Sequence, residues 1–124
     1  MKPIRVLLVD DEEELAVTLA ERLTIRGFSV DWAVTAESAL KLFRDKKYDV
    51  AVLDVKLPGL SGVTLKEHMA EIDPELKFIF MTGHGSQEDF EAGSAAAGES
   101  NYLWKPVDID AFAEKINLVA EEID

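Results

Sequence analysis

Five short apolar runs, separated by stretches of helical period, leave this chain few folds to choose from. Ile4 to Val9 closes on Asp10-Asp11, Val50 to Leu53 on Asp54, Phe78 to Met81 on Thr82, and Tyr102 to Trp104 on Lys105-Pro106. Phe28 to Val34, with Val30, Trp32 and Val34 on one face, has the alternation of an edge strand. Val50 to Leu53 is apolar throughout, as befits a central strand buried on both faces. Leu15, Leu19 and Leu23 mark a first helix that Gly27 ends. Thr35 caps a second helix, which turns Ala36, Ala39, Leu40 and Phe43 inward. Leu65, Met69 and Ile72 space a third helix up to the break at Asp73-Pro74. A fourth, over Gln87 to Gly98, is weak because it holds Gly93 and mostly alanines. Ile109, Phe112, Ala113, Ile116 and Ala120 trace the last.

Five strands alternating with five helices read as βαβ units on a parallel sheet. Right-handed crossovers then favour an α/β fold with a doubly wound five-stranded sheet in the order 2-1-3-4-5, whose switch point lies between the first and third strands. Sites in such sheets form at the carboxyl ends of the strands, so Asp10, Asp11, Asp54, Thr82 and Lys105 are expected to converge on one edge. The 124 residues fit one domain, read as 1–124 with no output domain. With no Cys there is no disulfide framework, and no apolar run approaches the roughly 20 residues of a membrane span. The start MKPIRVLLVD lacks the features of a signal peptide, and the chain reads as cytoplasmic with no membrane partner. A formal charge of −12 argues against nucleic acid, whose phosphates call for clustered Lys and Arg.

The segments VLLVDDEEELAVTLAERL, AVLDVKLPGLSG, FIFMTGHG and NYLWKPV resemble, in order, the receiver domain of bacterial two-component response regulators. The resemblance runs from Ile4 to about Ile123 and implies the flavodoxin-like, CheY-like (βα)5 fold, for which 2-1-3-4-5 is the family's own order. It implies that Asp54 accepts a phosphoryl group from a sensor histidine kinase or a histidine phosphotransfer protein. A carboxylate is a competent covalent nucleophile when nearby charge is neutralised. Crowded carboxylates invite a hard cation, here Mg²⁺ with Mn²⁺ as an alternative, held by Asp10, Asp11, Asp54 and, by the resemblance, the backbone carbonyl of Lys56.

Lys105 would pair with the phosphoryl oxygens and Thr82 would donate a hydrogen bond to another. By the same resemblance the bond before Pro106 is cis, and Tyr102 is a switch aromatic that turns inward as Thr82 moves toward the phosphate. That motion would reshape the face formed by the fourth helix, the last strand and the last helix, where a downstream target, an output domain or a second copy would dock. Lys56 and His84, each two positions after a site residue, would influence the lifetime of the phosphoryl group. Lys56 departs from the usual neutral or Arg residue, so its ammonium either slows attack by water or points to solvent. His84 and His68 otherwise read as solvated histidines. Val107 replaces an aromatic common after the Lys-Pro pair.

Other functions fit less well. A haloacid-dehalogenase-like phosphatase needs an Asp two residues after its nucleophile, whereas Val55-Lys56 follows Asp54 and Glu12 follows Asp10-Asp11. An FMN binder would want a Ser, Thr or Gly loop after the first strand, where Asp-Asp-Glu-Glu-Glu would repel phosphate. A docking-only pseudo-receiver would lack some of the residues present here. The expected role is a phosphorylation-controlled switch that catalyses its own phosphorylation and dephosphorylation and is no enzyme toward metabolites.

Overall fold

The computed structural model describes residues 2–83 and 102–121. Within them five strands, β1 (Arg5–Val9), β2 (Ser29–Ala33), β3 (Val50–Asp54), β4 (Lys77–Thr82) and β5 (Tyr102–Trp104), form one parallel sheet in the order β2-β1-β3-β4-β5. The doubly wound topology expected from the alternation is the one observed. Helices α1 (Glu13–Ile25), α2 (Ala36–Asp45), α3 (Gly62–Ile72) and a final helix (Ile109–Glu121) cover it. The helix expected over Gln87 to Gly98 lies outside the described residues, as does His84. No helix among the described residues is long and apolar enough to cross a membrane.

Because successive strand residues point to opposite faces, the sheet builds two cores. Leu7, Val9, Ala51, Leu53 and Phe80 face α2 and α3, meeting Ala39, Phe43, Leu65 and Met69. Val6, Leu8, Val50, Val52, Ile79 and Met81 face α1 and the final helix, meeting Leu19, Leu23, Phe112 and Ile116. Every residue of β3 is buried, which is why Val50 to Leu53 is apolar without alternation up to the closing Asp54.

Local chemistry sets the element ends. At the end of α1, Gly27 adopts φ +97° and donates its N–H to the Thr24 carbonyl while Phe28 donates to Leu23. This is the paired bonding of a Schellman cap, and it returns Phe28 to the core beside Leu23. Thr35 and Ser61 cap α2 and α3 by accepting from the N–H groups of Ser38 and Thr64. Asp108 does the same for Ala111 in the final helix.

Two large apolar residues that share the faces of core residues are themselves exposed. Trp32 shares the face of Val30 but is 37% exposed, because β2 is the sheet edge. Ile72, the last residue of α3, is 55% exposed, since periodicity cannot tell where the layer beneath a helix ends. Val119, by contrast, is buried on the final helix without having been expected there.

Candidate functional site

The ladder carries two candidate site residues into the strands themselves. Asp54 is the last residue of β3, in register with Met81, and Thr82 is the last of β4, in register with Trp104. Asp10 follows β1 directly, and its N–H donates to the Ala33 carbonyl of β2 at 3.1 Å. Lys105 follows β5, its N–H donating to the Thr82 carbonyl at 2.8 Å, and the Lys105–Pro106 bond is cis. The ends of four neighbouring strands, β1, β3, β4 and β5, and the residues next to them therefore meet at the carboxyl edge, around the switch point between β1 and β3.

Side chains close the arrangement. The Lys105 ammonium lies 2.8 Å from Asp10 Oδ2, 3.0 Å from Asp54 Oδ2 and 3.2 Å from Glu12 Oε1. The second oxygen of each Asp takes a local backbone donor: Asp10 Oδ1 accepts from Glu12 N–H at 2.9 Å, and Asp54 Oδ1 from Lys56 N–H at 3.1 Å. Asp11 is exposed, and it offers an oxygen that, with one each from Asp10 and Asp54, forms a set lying within 4.8 Å of one another. Asp11 also borders an open groove of about 600 Å³ whose floor is the β3–α3 loop, including Val55, Lys56 and Pro58.

Burial gives these contacts their force. Asp10 and Thr82 are wholly buried and Asp54 nearly so. Burial pushes the Asp54 carboxyl above its usual range; the Lys105 ammonium opposes this, and the charge of Asp10 reinforces it. Burial pulls the Lys105 ammonium down, but Asp10 and Asp54 more than reverse that and hold it above its ordinary value. One ammonium thus serves a cluster of carboxylates. The buried Thr82 hydroxyl has no hydrogen-bond partner among the described residues. A buried hydroxyl left unsatisfied is costly, and its place at this edge fits a group that arrives from outside. Three oxygen donors of the hard type suit a divalent cation of the Mg²⁺ class.

A family model, the response regulator receiver domain, matches residues 6–117. The chain belongs to that family. This receiver domain is 30% identical over 120 residues to the transcriptional regulatory protein RprY of Bacteroides fragilis, covering 97% of the chain and 50% of that protein. It is 29% identical over 112 residues to sporulation initiation phosphotransferase F of Bacillus subtilis, covering 90% of each. Among solved structures it superposes on a CheY-like receiver domain protein from Methanospirillum hungatei with a TM-score of 0.86 at 32% identity, over 97% of this chain and 95% of that one. The chain spans about half the length of the Bacteroides relative, and 27% of the Escherichia coli regulator GlrR that it also resembles.

Of the residues singled out in the sequence, the receiver domain brings Asp10, Asp11, Asp54 and Lys105 together and places Thr82 on the same edge. Lys56 contributes its backbone there while its side chain is exposed. Tyr102 is buried, its ring 5.6 Å from that of Phe80 between centroids, so it is inward in this structure. His68 is exposed on α3. Two residues escaped the sequence reading. Glu12 reaches Lys105, and its place in the acidic run after β1 was the available signal. Gly62 packs against the end of β3, and nothing in its local sequence marks that approach.

Proposed function

We propose that this receiver domain is the phosphoacceptor of a two-component pathway, with Asp54 the residue that takes the phosphoryl group. The observation that carries the reading is Asp54 itself: a buried carboxylate at a strand end, 3.0 Å from the partly buried Lys105 ammonium and grouped with two further carboxylates. An Asp54 oxygen attacks the phosphorus of a phosphohistidine on a sensor kinase or phosphotransfer protein. The P–N bond breaks, and its electron pair leaves with the imidazole, which takes up a proton. Dephosphorylation is the attack of water on the same phosphorus, releasing the Asp54 carboxylate and inorganic phosphate.

Asp10, Asp11 and Asp54, with the Lys56 carbonyl, would hold Mg²⁺ or Mn²⁺, which supplies positive charge against that of the incoming phosphoryl group. Lys105 exchanges part of its pairing with Asp54 for the phosphoryl oxygens, and the Thr82 hydroxyl donates to another. Thr82 and Tyr102 lie on adjacent strands, so a hydroxyl drawn to the phosphoryl group stabilises the inward ring already seen here and biases the face beyond it toward a downstream target, an output domain or a second copy.

Incubation with acetyl phosphate, borohydride reduction and peptide mapping tests the acceptor. The expected product is homoserine at position 54, and reduction at any other carboxylate contradicts the assignment. Lys56 and His84 are the proposed rate-tuning positions. Lys56→Ala is expected to change the half-life of the phosphoryl group, measured by phosphate release; an unchanged half-life removes Lys56 from that role.

A further inference from the structure

The first residue of α3 lies directly on the backbone of Asp54. Gly62 is buried, and its N–H donates to the Val55 carbonyl at 2.9 Å. A methyl group on Gly62 would overlap the Asp54 carbonyl oxygen, lie 3.0 Å from the carbonyl carbon and 3.1 Å from Val55 Cα. All three are backbone atoms, so no rotamer change relieves the overlap. Positive φ is confined to Gly27 and Gly59 among the described residues, and an added Cβ at either of those meets nothing within 4 Å. At Gly62 the requirement is space, not backbone conformation.

We infer that Gly62 is a positioning residue for Asp54, resting on the reading of Asp54 as phosphoacceptor. Its missing side chain lets α3 sit against the acceptor's own carbonyl, and that seat sets where the carboxylate meets Lys105 and Asp10. Asp54 Oδ1 also accepts from Lys56 N–H, in the loop that α3 closes, so a displaced carbonyl disturbs the side chain's anchor as well.

The test compares wild type, Gly62→Ala and Ser61→Ala for the rate of phosphorylation by acetyl phosphate at saturating Mg²⁺, at a temperature where melting curves show every protein folded. Ser61→Ala removes the cap of the same helix without adding bulk, so it isolates loss of helix stability from displacement of Asp54. Gly62→Ala is expected to be slower by about tenfold or more, and Ser61→Ala to stay within about twofold of wild type. A wild-type rate in Gly62→Ala, or the same loss in both variants, overturns the inference. Neither adduct nor phosphate release from the wild-type protein, with active donor and metal, takes down the acceptor reading, and this inference with it.

If Gly62→Ala does not fold, amide hydrogen exchange in the wild type decides. Coupling between seat and site is reciprocal, so Mg²⁺ is expected to protect the Gly62 amide severalfold more than that of Leu65, which bonds within α3 to Ser61. Equal responses, or none, contradict it.

Discussion

Asp54 is where opposing forces meet. Burial raises its carboxyl pKa and Lys105 lowers it, with burial and Asp10 prevailing. A folded pKa raised above the unfolded one gives stability that is present at low pH and lost as pH rises through the folded value. Ionised Asp54 therefore weakens the metal-free fold near neutrality. Asp54→Asn is expected to melt higher than wild type at pH 7 in chelator, with the gap closing below the ordinary carboxylate range; calorimetry across that interval checks it. A wild type that melts higher at pH 7 contradicts the balance of forces. Asp10, Asp54, Thr82 and Lys105 were legible in the sequence because each ends or follows an apolar run, a place that sheet topology turns into a common edge. Glu12 and Gly62 were not, because their importance is a distance in the fold, from Glu12 to Lys105 far along the chain and from Gly62 across a loop to Asp54, and spacing carries no distances.

Among the elements, caps decide where the layers begin and end. Gly27 holds φ +97° and closes α1 with two hydrogen bonds that bring Phe28 back to the core. The left-handed region costs a residue bearing Cβ about 1–2 kcal/mol. Gly27→Ala is expected to lower stability by that amount in urea titration while leaving phosphorylation unchanged, since an added methyl meets no atom within 4 Å. Stability equal to wild type would show that the turn accommodates the change. Gly27 and Thr35 were readable as helix punctuation because their chemistry is local. The exposure of Trp32 and Ile72 was not readable in the same way, because it depends on whether another layer lies above them. That β2 is the edge also follows from topology, but how much of Trp32 its neighbours leave bare does not.

At the scale of the whole molecule, the sheet joins one site to two cores. β4 carries Phe80 against Tyr102 on one face and Ile79 and Met81 into the other core, and it ends in Thr82. In the proposed switch, a pull on Thr82 would be passed to β5 by this strand, which packs on both sides. Binding of the phosphoryl mimic beryllofluoride is expected to move the amide resonances of Thr82 and of Tyr102 to Val107, beyond the residues that touch the site. Shifts confined to Asp10, Asp11, Asp54 and Lys56 would contradict the switch. The central claim is that Asp54 takes a phosphoryl group with the help of a divalent cation. It is tested most directly by the intact mass of wild type and Asp54→Ala after incubation with acetyl phosphate, with Mg²⁺ and with chelator, alongside inorganic phosphate release to catch rapid hydrolysis. The account predicts one phosphoryl adduct, or its equivalent in released phosphate, only in wild type with Mg²⁺. An adduct on Asp54→Ala equal to that on wild type, or neither adduct nor release from wild type with active donor and metal, would contradict it.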